Sequence, residues 1–295
     1  MQKFIINIFL FLLLFFISNV FYLRILRLSD QFAKTEEFSK FRNEKFEILI
    51  GGFSLAMNGL DPEICNSKGF EAYNFALGGA NIVSTKLMLN QYLLHNEPPK
   101  YFIYGTSEHY YHLIKVNEAS VQGYHPVVDH FFTTPDFSII NLPIIKFKWL
   151  FKEILKKTIS KKYRFEVING HVRSTLKRYD NSTVNNSNVL SPEKYFSNQN
   201  IRDLAILCKQ NNIIFIIAEM PTWQANKHKN KTEISYSQEI EAHFFDYNCI
   251  DSPISFVLSN KNDWTSDNHL NVNGAEKLTN FLLDDIKSIN NSDFP

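Results

Sequence analysis

The sequence predicts an α/β fold: a parallel sheet of about five strands between layers of helix, an N-terminal transmembrane helix, and a mostly helical insertion. Three observations carry that reading. Short apolar runs stopped by glycine or proline alternate with stretches of helical period. Such alternation calls for parallel pairing and right-handed crossovers. Residues Phe4 to Leu23 are almost all Ile, Leu, Phe and Val, broken by Asn7, Ser18 and Asn19, and about 20 such residues cross a bilayer as a helix. The regular pattern lapses between residues 107 and 191 and then resumes.

Residues 1–27 read as a signal anchor. A cleaved signal peptide competes, but the run outlasts the usual apolar core of about 7–15 residues, and bulky, basic Tyr22-Leu23-Arg24 follows it. Lys3 and Arg24 with Arg27 bid for the same side, so the expectation of a periplasmic or otherwise extracytoplasmic globular domain draws on the resemblance described below. Residues 28–45 form a juxtamembrane linker or short helix, and 46–290 the α/β domain with its insertion at 107–191.

Within that domain, strands are expected at 46–51, 72–77 and 101–104, ending at Gly51-Gly52, Gly78-Gly79 and Gly105. A helix is expected over Asn81–His95, stopped by Pro98-Pro99. The insertion is a lid or side lobe, aromatic and proline-rich at first and basic over Lys146–Arg178. That basic stretch suits a solvated helix face, or a surface meeting anionic headgroups or an acidic glycan. Pro192 opens a helix reaching Lys209. Ile213–Ala218 is the strongest strand, a helix is expected over Ile234–Phe245, and Cys249–Ile254 is a weak last strand. A closing helix follows Asn273-Gly274, with Ala275, Leu278, Phe281, Leu282 and Ile286 on one face.

Composition narrows the function classes. A chain of 295 residues with net charge +1 has no global bias toward nucleic acid, and the membrane segment argues the same way. Cys65, Cys208 and Cys249 are widely spaced and make no zinc motif, so they read as buried small hydrophobes, with one disulfide as the alternative. His109, His112, His125 and His130 fit no compact ligand set, so neither a metal nor a cofactor is expected.

The chemistry concentrates in two stretches. Ser54 directly follows a strand end, where ligands bind in open parallel sheets. It reads as a turn or capping serine, or as a nucleophile if a base activates it. His269 can be that base, oriented by Asp267 or a neighbour, with Asp263 a further acid. Backbone N–H groups at Ser54 and Gly79 are candidate oxyanion donors, and Thr106 and Ser107 end the third strand at the same edge.

Three blocks in this order resemble the SGNH/GDSL hydrolase superfamily, and its membrane-anchored bacterial branch that includes polysaccharide O-acetyltransferase-like proteins. They are Gly51-Gly52-Phe53-Ser54 with Gly59-Leu60-Asp61-Pro62, Tyr73-Asn74-Phe75-Ala76-Leu77-Gly78-Gly79-Ala80, and His269-Leu270-Asn271 with Gly274-Ala275-Glu276-Lys277-Leu278-Thr279. The resemblance implies a three-layer α/β/α sandwich with a flavodoxin-like sheet, Ser54 as nucleophile, Gly79 in the oxyanion hole and His269 as base. Two departures stand out. The family's aspartate three residues before the histidine is here Ser266, which leaves Asp267, Asp263 or a Ser-His dyad. The family's Gly-x-Asn is here Gly105-Thr106-Ser107, so a hydroxyl must serve as donor.

The expected function is therefore a membrane-anchored serine esterase or O-acyltransferase acting on an ester or hydroxyl of a cell-envelope carbohydrate. The alternative is a catalytically weak binding or assembly protein in envelope polysaccharide biosynthesis, with a biosynthetic protein as its partner.

Overall fold

A computed structural model describes residues 2–26, 34–35, 37–38, 40–80, 82–107, 166–175, 192–223, 234–249, 252–266 and 268–291, with the single residues 144, 148, 151 and 155. The chain divides into two units: Met1–Glu37 with Gln122–Phe165, and Phe38–Val121 with Glu166–Pro295.

The first unit contains helix α1, Gln2–Leu26. Its Gln2–Tyr22 span has a mean hydropathy of 2.6, long and apolar enough to cross a membrane, a property that a signal sequence shares.

The second unit is built on a six-stranded sheet: β1 Ile48–Gly52, β2 Ala72–Asn74, β3 Tyr101–Thr106, β6 Ile214–Glu219, β7 Ile234–Ser237 and β8 Ala242–Asp246. Their order is β2-β1-β3-β6-β8-β7. The first five are parallel, in the flavodoxin-like order, and β7 adds an antiparallel edge. β1 and β3 are buried at every position, as befits strands covered on both faces.

The helices are α2 Ser54–Gly59, α3 Pro62–Ser67, α4 Ile82–Leu93, α5 Glu193–Phe196, α6 Gln199–Gln210, α7 Pro253–Val257 and α8 Val272–Asn291. Ile48, Ile50, Ile103, Ile216 and Ala218 pack with Leu55 and Ala56 of α2 and with Leu278, Leu282 and Ile286 of α8. On the opposite face Phe75, Phe102 and Phe215 stack at 5.8 and 5.9 Å. The three cysteines are free and buried; burial pushes the Cys65 thiol up to about 12, so it is no nucleophile at neutral pH.

Several elements depart from expectation. The helix expected over 234–245 is the β7–β8 hairpin, turned through Glu241 at φ 50°. β8 is hydrogen-bonded on both sides and its Phe244 packs on Tyr195, so pairing outweighs local helical period. The last parallel strand is therefore 242–246, not 249–254. The helix expected to reach Lys209 is two, because Asn198 turns extended and caps the N–H groups of Asn200 and Ile201. α8 starts at Val272, ahead of Gly274, because Asn271 Oδ1 accepts from the N–H groups of Asn273 and Gly274.

The described residues 166–175 of the expected helical insertion are a β-hairpin: β4 Glu166–Ile168 and β5 His171–Arg173. Asn169 and Gly170 have φ of 46° and 78°, the pair of left-handed residues that a two-residue hairpin turn needs. The hairpin closes against the chain after β1. Arg173 sends Nη2 to Asp61 Oδ2 at 2.9 Å, and His171 Nδ1 lies 3.3 Å from the same oxygen without hydrogen-bond alignment. Part of the basic stretch thus faces an internal acid rather than solvent or an anionic surface.

Asp61 is buried and also caps α3 through the Glu63 N–H. Burial alone would raise its carboxyl. The His171 ring, the Glu63 N–H and the Arg173 guanidinium together bring it below the ordinary range. A depressed carboxylate contributes stability above its unfolded value, near 3.9, that is lost as pH falls through the folded one. Asp61→Asn is expected to cost about 3 kcal/mol at pH 7, because it leaves the largely covered Arg173 guanidinium without its carboxylate. The loss should shrink toward pH 3. Denaturant unfolding at pH 7 and pH 3 measures both; an equal cost at both pH values contradicts the charge assignment.

Candidate active site

The parallel strands bring three chain segments to their C-terminal edge. Gly52 pairs with Gly105, and its carbonyl accepts from Leu77 N–H at 3.1 Å. The turn holding Gly79, the end of β3 and the start of α2 therefore meet around Gly52. A Cβ on Gly105 would stand 2.4 Å from that of Ala56, so glycine there lets α2 seat directly on the sheet. Asn74, fully buried, completes the seat by donating to the carbonyls of Ala56 and Leu60 at 2.9 and 2.8 Å.

Ser54 is the first residue of α2, and Phe53 before it is extended. First-turn N–H groups have no partner within a helix, so the Ser54 N–H is free to bind an oxyanion. Gly79 sits in an exposed turn at φ 71°, a left-handed conformation suited to glycine. Thr106 and Ser107 are both buried, and the Thr106 hydroxyl has no hydrogen-bond partner. Because Gly105 faces α2, strand alternation turns Thr106, the last residue of β3, to the opposite face.

The base arrives from the loop before α8. Trp264 bridges Leu270, and the His269 carbonyl accepts from Thr265 N and Oγ1 at 2.8 and 3.1 Å. That closed loop presents His269 to Ser54, and Nε2 lies 2.9 Å from Ser54 Oγ. On the other side of the ring, Nδ1 lies 3.1 Å from Ser266 Oγ, and Ser266 donates to Asn268 Oδ1 at 3.1 Å. An amide oxygen only accepts, so the Ser266 proton points at Asn268. Ser266 Oγ must then accept, which puts the imidazole proton on Nδ1 and leaves Nε2 with a lone pair toward Ser54. That is the tautomer a general base needs. Burial lowers the His269 pKa, so the ring is neutral at pH 7.

Of the candidate acids, Asp267 lies outside the described residues. Asp263 is buried and bonded to Lys277 Nζ at 2.8 Å; no hydrogen bond joins it to His269. The orienting group at Nδ1 is Ser266, the position noted in the sequence only as a missing aspartate. His109, His112, His125 and His130 also lie outside the described residues. Among the described residues no cluster of His, Cys, Asp or Glu is arranged to hold a metal.

No known family profile matches the chain, and no curated protein does either. Among solved structures, one similar chain is a Bacteroides fragilis NCTC 9343 protein described as a candidate acylhydrolase: 12% identity, 86% of this chain, 94% of that chain and a TM-score of 0.38. A likeness that remote carries no argument about activity.

Proposed function

We propose that the protein is a serine esterase or O-acyltransferase of the SGNH type working through a Ser54 acyl-enzyme. The observation behind this is the 2.9 Å hydrogen bond between Ser54 Oγ and His269 Nε2 at the carboxyl edge of the sheet. In this reading Ser54 Oγ attacks the acyl carbonyl carbon while its proton passes to Nε2. The tetrahedral oxyanion is held by the Ser54 and Gly79 N–H groups, with buried Ser107, just past the end of β3, as a third donor. Collapse breaks the ester bond, and the leaving oxygen takes the proton from Nε2. A water or a sugar hydroxyl, deprotonated by the same nitrogen, then takes the acyl group and frees Ser54. The N-terminal helix as an uncleaved anchor, and an envelope carbohydrate as substrate, belong to this proposal.

The experiment uses the full chain in detergent with an aryl acetate and a serine-directed fluorophosphonate. Ser54→Ala should abolish labelling and, with His269→Ala, lower turnover by about 10³-fold or more. Unchanged labelling and turnover in Ser54→Ala would sink the proposal. One observation favours the second reading, a weak enzyme retained for binding or assembly: the group facing Nδ1 is a neutral hydroxyl. Turnover requiring both Ser54 and His269 argues against it.

A further inference from the structure

The hairpin β4–β5 and the residue after it bond to the chain close to each half of the dyad. His171 is fully buried, and its Nε2 lies 3.0 Å from the Asn58 carbonyl, four residues after Ser54. A carbonyl only accepts, so Nε2–H donates. Asn58 returns the bond, its Nδ2 donating to the Val172 carbonyl at 2.9 Å. Arg173 reaches Asp61, just beyond α2, through Nη2 at 2.9 Å and Nε at 3.2 Å. Just past the same strand the Ser174 carbonyl accepts from Val272 N–H at 2.9 Å, three residues after His269. The turn is fixed as well: the Asn169 carbonyl accepts from Asn74 N–H at 3.0 Å, and Asn74 holds the α2 carbonyls.

Strand β5 with Ser174 just after it thus runs from the Ser54 helix at one end to Val272, the first residue of α8, at the other. Ser54 and His269 are 215 residues apart in sequence. The sheet anchors Ser54 through β1, but His269 hangs on a loop whose far end is α8. We propose that β5 is a splint that sets the Ser54–His269 separation, with Arg173 and Asn58 as positioning residues. They act through α2 and touch no reacting atom. The acid-base step depends on that separation, and a displacement of about 1 Å can cost 10²-fold in rate.

The test reads His269 directly, so it stands apart from the proposed activity. In full-length protein carrying ¹⁵N-imidazole histidine, the His269 signals are assigned by their loss in His269→Gln. The splint predicts that Arg173→Met and Asn58→Ala each shift the Nε2 resonance toward that of an unbonded lone pair, and that Arg173→Lys partly restores it. The fluorophosphonate rate constant should fall about tenfold or more in Arg173→Met. Asn58→Ala keeps the Asp61 ion pairs and serves if Arg173→Met does not fold. A His269 Nε2 resonance unmoved in folded Arg173→Met or Asn58→Ala overturns the inference, since a merely structural strand would lower the unfolding midpoint alone. Should the wild type resist the fluorophosphonate while the resonances shift, the proposed activity fails and the splint stands.

Discussion

Ser266→Asp is expected to raise kcat/KM on an aryl acetate by about 10²-fold. The imidazolium formed when His269 takes the Ser54 proton now faces a neutral Ser266 hydroxyl at 3.1 Å. That hydroxyl fixes the tautomer but supplies no charge. A carboxylate at about 4 Å from the ring charge contributes about 4 kcal/mol at an effective dielectric constant of 20. The site is half-open, which reduces the net effect to about 2–3 kcal/mol, and each 1.36 kcal/mol is tenfold in rate. In contrast, Ser266→Ala removes the acceptor for Nδ1–H and should lower kcat/KM by about tenfold, through loss of the correct tautomer.

The pH profile separates these effects. Catalysis needs neutral His269, so the acidic limb of kcat/KM reports its protonation. Burial holds that pKa below the ordinary histidine value, and among the described residues the group at Nδ1 is the neutral Ser266 hydroxyl. The wild-type limb should therefore fall below 6.5 and activity should be flat through neutrality. A new aspartate stabilises the charged ring and should move the limb upward. A depressed histidine pKa also means that the unfolded chain binds the extra proton first. Stability should decline as pH drops through about 6.5 toward the folded value. A rate gain without a shifted limb would contradict charge stabilisation as its cause.

The elements that held the nucleophile were legible in the sequence for a physical reason. A parallel strand buried on both faces must be apolar along its length, and Ile48, Leu49 and Ile50 before two glycines can hardly be read otherwise. The 215-residue span between Ser54 and His269 shows where such reading stops. It gave both residues from local pattern, but their meeting depends on the sheet order and the loop before α8. Ser266 stands out in the sequence only as a missing aspartate, because a hydroxyl three residues before a histidine has no pattern of its own. Only the closed turn from Thr265 to His269 aims it at Nδ1. The hairpin carried a usable signal in Asn169-Gly170, masked by the basic residues around it. Val167 is partly buried against the core, whereas the lysines nearby suggested a solvated helix. β7 and β8 misled differently: a short apolar run fits either period until a neighbouring strand claims its N–H groups.

Gly52→Ala should be among the most damaging single methyls in the second unit. Gly52 has φ +122°, a conformation that L side chains rarely adopt, and a Cβ there would lie 2.0 Å from the Gly105 carbonyl oxygen. The obstacle is backbone in the neighbouring central strand, so no side chain can swing aside. The conformational term alone costs about 1–3 kcal/mol. Parting β1 from β3 would add the loss of ladder hydrogen bonds and core packing, for a total of about 4 kcal/mol or more. Gly69→Ala is the matched control. Its φ is +89°, also left-handed, yet nothing lies within 4 Å of the added methyl. It should cost only about 1–2 kcal/mol. If Gly52→Ala folds, the relief must come from moving Gly52, and Ser54 lies two residues beyond it. Labelling by fluorophosphonate should then fall about 10²-fold while Gly69→Ala labels at the wild-type rate. Denaturant unfolding and labelling together decide the matter, and equal losses in the two variants would mean that the contact with Gly105 does not govern the placement of Ser54.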